Sequence, residues 1–357
     1  MRILSCNTSS NKRNLGMDLT RVVASLMVVS MHVTASWKYG VLSTPEWHIS
    51  EFYDSLCRSA VPLFFMISGA FYKNRPASRT VRKIIYYIAV FFGISLIYAI
   101  DDAYLGSRMG ERPNWLEGVL NYKYHLWYLP AYIFVLSAAP VLVKAIDSNE
   151  ENAMYKYLLG LWMFFGIGLN TVITAMNGLD SWRLFNRYCQ FISSFAFMTG
   201  NHMGYFVLGR FLIKKEFTDS EKRVIYALGV LSTVALYTLT VWYSYHLGRC
   251  DERWMGTMNL FIFLQATAVF EFFKNMSVDS KYANAIGEVS TYTFGIYLVH
   301  VLFLDWARVK GVFQGCKIMG LSIHPALLIP IEAVIVWLTS SFAVWVIRKI
   351  YKSIKSL

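Results

Sequence analysis

Arg21 and His32 carry the side chains whose types and spacing could do chemistry within the first apolar stretch of the chain, MDLTRVVASLMVVSMHVTASW. An ionisable group inside a membrane span is costly, faces the bundle interior and marks a pathway or site. Eleven steps along a helix make about three turns plus about 20°, so the two side chains share one face, roughly 16 Å apart along the axis. A guanidinium grips anionic groups bidentately, and an imidazole can take a proton near neutral pH. The plainer alternative makes Arg21 a charge anchor at the membrane surface, neutralised by Asp18 three residues earlier, and His32 a satisfied interior polar group.

Further polar residues stand where lipid would penalise them. The segment CRSAVPLFFMISGAFY carries Arg58, Pro62, Ser68 and Gly69. The proline frees a backbone carbonyl and the glycine permits close helix approach; Arg58 could instead snorkel, and Ser68 could serve as packing glue. The segment YHLWYLP sets His125 beside Trp127, the Trp also fitting an interfacial aromatic belt. STYTFGIYLVHVLFLDWA buries His300, for which a hydrogen bond to a neighbouring helix is the plain reading. KNRPASRTVRK holds Arg79, Arg82 and Lys83, either a solvated basic loop or a landing site for a ligand bearing phosphates.

The elements that must position these residues are helices in lipid. Of 357 residues, 56% are hydrophobic and only 16% charged, below the roughly 25% of a soluble domain. Apolar runs suited to a ~30 Å hydrocarbon layer fall near 17–37, 55–72, 84–100, 124–143, 157–176, 193–213, 224–246, 256–273, 291–307 and 325–347. The fold class expected is therefore all-α, a polytopic transmembrane helical bundle of about ten spans. Residues 182–194 fit an interfacial placement equally well. The domain reading is a tail at 1–16, one membrane domain at 17–347 and a basic tail at 348–357.

Most of the 34 Lys and Arg fall in loops on the side of the amino end, which predicts both termini in the cytoplasm and a cytoplasmic (inner) membrane location. The net charge of +12 then reflects topology and anionic headgroups rather than nucleic acid. Residues 1–16 lack the apolar core of a signal peptide, and Met17 is an alternative start. Cys6, Cys57, Cys189, Cys250 and Cys316 include no CxxC pair, so neither a metal site nor a disulfide framework is expected.

The ordered set DLTR with His32 ten intervening residues after Arg21, then RSAVPLFFMISG, HLWYL, MGYFVLGRFL and TFGIYLVH resembles the acyltransferase-3 family of membrane acyltransferases. It is most similar to the short O-acetyltransferases of bacterial surface polysaccharides, the enterobacterial common antigen type included. That resemblance implies acetyl-CoA from the cytoplasm as acyl donor, with no permanently bound cofactor, and a glycan or lipid-linked glycan of the cell envelope as acceptor. It places catalytic roles on Arg21 and His32, with substrate contacts at Arg58, Ser68, His125, Trp127 and His300. Donor binding falls to Arg21 with Arg79, Arg82 and Lys83. The segment YLPAYIF after His125 lacks the acidic residue of longer members, so no role of that carboxylate carries over. An exopolysaccharide O-succinyltransferase and a transporter or flippase of a lipid-linked glycan are the alternatives. Pro62 and Pro130 have no counterparts in the second half of the chain, against the paired broken helices of many transporters.

Overall fold

A computed structural model describes residues 14–37, 41–108, 115–148, 153–176, 201–314 and 317–355. The segment 182–194, part of the stretch 193–213, residues 1–13 of the amino tail and 356–357 of the basic tail lie outside the described residues, as do Cys6, Cys189 and Cys316. In chain order the helices are α1 (Leu15–Thr34), α2 (Pro45–Cys57), α3 (Ala60–Ala70), α4 (Ala77–Arg108) and the short α5 (Trp115–Leu120). A 3-10 turn at Tyr124–Trp127 leads into α6 (Tyr128–Asp147). Then come α7 (Ala153–Leu161), a π-helical stretch at Trp162–Gly168, α8 (Leu169–Met176), α9 (Asn201–Leu212), α10 (Asp219–Leu247), α11 (Leu260–Lys274), α12 (Ala283–Ser290), α13 (Thr293–Val309) and α14 (Pro325–Lys355).

Among the described residues, seven helical stretches are long and apolar enough to cross a membrane, and α12 with α13, bent by 58° at their junction, would make an eighth. Their outer faces are apolar: Ile85, Phe92 and Ile97 on α4, Val230 and Val234 on α10, and Leu338 and Phe342 on α14 are all exposed. So much contiguous apolar surface suits lipid rather than water. The described residues form a helical polytopic bundle with a small antiparallel meander of β1 (Phe313–Gln314), β2 (Lys317–Ile318) and β3 (Leu321–Ser322), which the sequence reading did not foresee.

The two remaining apolar stretches are represented by α3 and α9, of 11 and 12 residues. At about 1.5 Å per residue the 11 residues of α3 do not cover a hydrocarbon layer alone, and α9 is described from Asn201 onward. They lie against each other in the interior, and glycine makes that approach possible. A Cβ on Gly69 would sit 1.8 Å from the Phe206 carbonyl oxygen, and one on Gly209 would sit 1.9 Å from that of Met66.

The break between α2 and α3 has a local cause. Pro62 has no N–H to give to the preceding turn, and the chain turns out of the helix at Arg58 and Ser59. Gln265 of α11 repairs the gap. Its Oε1 accepts from the Ser59 amide at 3.0 Å, while its Nε2 donates to the Ser55 carbonyl at 3.0 Å and to the Thr233 hydroxyl at 2.8 Å. The helix starts are capped as sequence rules expect. The Asn14 side chain accepts from Met17 N–H at the head of α1, and Thr218 with Glu221 closes a capping box on α10.

Candidate functional site

At the amino end of α1, Asp18 is buried and accepts from Arg21 Nη1 at 2.6 Å and from Ser290 Oγ at 3.2 Å. The carboxylate that could have been a mere neutraliser therefore also ties α1 to the end of α12. The Arg21 side chain stays 29% exposed, 5.3 Å from the centre of the Phe71 ring, and lines an interior cavity.

Three turns on, His32 lines the same cavity. Its ring centre is 5.0 Å from that of His300, 5.3 Å from Tyr124 and 6.1 Å from His125. Its main-chain carbonyl, near the carboxyl end of the helix, accepts from Arg308 at 3.2 Å. The cation and imidazole thus share a face that looks into protein.

His125 sits on the 3-10 turn ahead of α6, where its main-chain carbonyl accepts from the Tyr297 hydroxyl at 3.1 Å. Its side chain is buried and borders the cavity, and neither ring nitrogen has a protein hydrogen-bond partner. His300 is fully buried behind His32 and does not line the cavity. Its Nδ1 lies 3.1 Å from the Ile296 carbonyl oxygen and 2.9 Å from that of Tyr297.

Arg58 emerges at the helix break and lines the cavity. Its Nε donates to buried Asp54 at 2.8 Å, Nη1 donates to the Met255 carbonyl at 3.3 Å, and Nη2 lies 3.5 Å from Glu252. Ser68 and Trp127 also border the cavity. Arg79, Arg82 and Lys83 do not; the first two are exposed on α4, while the Lys83 ammonium lies 5.6 Å from the centre of the Tyr87 ring, which does line it. The basic cluster therefore stands outside the cavity, with one member one side chain removed.

The cavity has a volume of about 700 Å³, within the ~300–1,000 Å³ range of small-molecule sites. Its polar lining includes Arg21 and Ser290, joined through Asp18, His32 and His125, whose ring centres are 6.1 Å apart, and Arg58 beside Glu252. Aromatic rings line the wall: Tyr128 faces Tyr132 at 5.9 Å and Tyr297 at 5.4 Å, and Tyr87 meets Phe294 at 5.5 Å. The sequence reading passed over these rings because tyrosines in apolar stretches carry no spacing that tells cavity from core. It also passed over His202, the residue just before MGYFVLGRFL. The His202 ring stacks on Phe65 at 4.7 Å, and its Nε2 lies 3.1 Å from the Thr257 hydroxyl of the cavity wall.

Geometrically, one lumen is lined by a cation at Arg21, an imidazole about three turns along the same helix at His32 and a second guanidinium at Arg58. Comparison with known proteins bears on the class of chemistry. A family model described as an acyltransferase domain, Acyl_transf_3, matches residues 14–347. The chain is also similar to two proteins from Enterococcus faecalis named amino-acid racemase. One is 27% identical over 186 residues, covering 46% of this chain and 25% of that protein; the other is 28% identical over 178 residues, covering 47% and 24%. The matched part thus spans about a quarter of the length of those relatives. No solved structure matches.

Proposed function

The chain belongs to the acyltransferase-3 family of membrane acyltransferases, and from that membership and the geometry of the cavity we propose that it moves an acetyl group from cytoplasmic acetyl-CoA to a hydroxyl of a surface or lipid-linked glycan. The observation that carries this reading is the cavity reached by both Arg21 and His32. The coenzyme phosphates rest on Arg21 and, outside the lumen, on Arg79, Arg82 and Lys83. The pantetheine arm lies along the aromatic wall, so that the thioester reaches His32.

A sugar hydroxyl is a weak nucleophile at neutral pH. His32 takes its proton as the oxygen attacks the thioester carbonyl carbon. The carbon–sulfur bond then breaks, and the proton passes to the leaving sulfur as the free thiol. Charge that develops on the carbonyl oxygen falls near Arg58 or His125, where a fixed cation or N–H donor lowers the barrier. Trp127 and Ser68 shape the acceptor pocket. The proposal includes ten crossings, with α3 and α9 as the two short ones packed inside the bundle, and both termini on the cytoplasmic face of the inner membrane.

The test is release of free thiol from acetyl-CoA by the purified protein in detergent, with and without the host's lipid-linked glycan fraction. The proposal expects thiol release that depends on that fraction and disappears in His32→Ala. A protein that binds the glycan fraction but never cleaves the thioester is a carrier of the glycan, and the enzymatic reading falls.

A further inference from the structure

We infer that His300 is a positioning residue for His32, accepting a hydrogen bond from the N–H of the His32 ring that does not face the acceptor hydroxyl. This rests on the reading of His32 as the base.

Both neighbours of His300 Nδ1, the carbonyl oxygens of Ile296 and Tyr297, only accept. Nδ1 therefore carries the hydrogen and Nε2 of the neutral ring carries the lone pair. That Nε2 is buried and has no protein hydrogen-bond partner, a rare state for a buried polar atom. Two imidazoles lie against the His300 ring, His32 at 5.0 Å between centres with a tilt of 34° and His125 at 5.2 Å and nearly perpendicular at 76°, and of these His32 is the one read as the base. Two imidazoles joined edge to edge by one N–H···N bond have centres at about this spacing, given a bond of roughly 3 Å between nitrogens. A small rotation of either ring therefore completes the pair.

The backbone contacts at Nδ1 hold the His300 ring in place. The same helix turn that buries it thus presents an acceptor of fixed tautomer to the base. Around the pair stand His125, with ring centre 5.2 Å from His300, and Tyr124, 5.3 Å from His32; Arg308 holds the His32 carbonyl. Among the described residues no group of His, Cys, Asp and Glu could hold a metal ion, so three neighbouring imidazoles are read as proton-handling groups.

In the reaction, one His32 nitrogen takes the hydroxyl proton while the other donates its N–H to His300 Nε2, which stabilises the imidazolium. When the carbon–sulfur bond breaks, the proton taken from the hydroxyl leaves with the sulfur as thiol, and His32 returns to the neutral state. His300 exchanges no net proton.

The experiment compares His300→Gln with His300→Met, side chains of similar length and volume of which only the first offers an acceptor where Nε2 stood. Both are purified in detergent and assayed for glycan-dependent thiol release from acetyl-CoA. The Met variant is expected to lose about 10²-fold in kcat with the KM for acetyl-CoA changed less than about 2-fold, and the Gln variant to recover at least a tenth of the wild-type rate. A Met variant with wild-type kcat overturns the inference. So does equal damage in both variants, or a Met variant that fails to fold where the Gln variant folds, since each assigns His300 a packing role. Should His32→Ala itself retain full activity, the reading of His32 as base fails instead.

Discussion

Arg21 pairs with Asp18 and lines the cavity, which sets what its loss should do. In purified protein, Arg21→Ala is expected to raise the KM for acetyl-CoA about tenfold, the effect of losing one charge-assisted contact, with a smaller change in kcat. An unchanged KM would leave Arg21 as an anchor for α1 and nothing more. Arg58→Lys keeps the charge but loses the fork that meets Asp54 and the Met255 carbonyl together. It is expected to cut kcat more than KM in the same assay. At this scale the sequence was informative where an ionisable residue stood inside an apolar run, because lipid leaves few explanations for one: Arg21, His32, Arg58 and His125 all line one cavity. It was silent on which nitrogen points where. Spacing says that His300 lies within a span, but only the fold puts it behind His32 rather than in the lumen.

Helices α3 and α9 meet through Gly69 and Gly209, where an added Cβ would overlap the opposing backbone. Gly209→Ala is therefore expected to force the pair apart and cost about 3 kcal/mol, at the upper end of overpacking effects, read as a lowered thermal unfolding midpoint in detergent. Gln265→Leu strands the Ser59 amide and the Ser55 carbonyl at the helix break and should cost roughly 3 kcal/mol for the two buried orphans. The loop ahead of α11 offers a pH test. Hydrogen bonds from Arg253, with Nε at 2.7 Å, hold the Asp251 carboxyl below its ordinary value. A depressed carboxyl stabilises the fold above its unfolded value of about 4, and that contribution is lost as pH falls through the lower folded value. Buried Trp254 next in the loop should report the change by fluorescence on acidification, and Asp251→Asn should remove that acid step. Long helices were legible from apolar runs and caps. The stretches 55–72 and 193–213, which hold α3 and α9, were read as spans, but hydropathy counts apolar residues and says nothing of how closely two helices approach through glycine. Pro62 gave away the break; Gln265, some 200 residues distant in sequence, did not.

The molecule as a whole is a lipid-solvated shell around one lumen that α1 borders from Arg21 to His32, walled by rings from α3, α4, α6 and α13. On the proposal, that arrangement lets a donor held at one face be consumed near the other without the coenzyme crossing. Val28 borders the lumen between the two polar centres. Val28→Trp, which fills space while leaving Arg21 and His32 in place, is expected to lower glycan-dependent thiol release at least tenfold, as one blocked approach of thioester to base would. The all-α polytopic membrane class was readable from composition, run length and ordered motifs; the lumen was not, since its wall is built from tyrosines and phenylalanines that the sequence cannot tell from core. The central claim is tested most directly by the acetyl-ester content of surface glycans from host cells carrying either the wild-type protein or His32→Ala, with the two proteins at equal levels in the membrane. The account predicts esters with the wild type and none with the variant. Esters at wild-type abundance in the His32→Ala cells would contradict it.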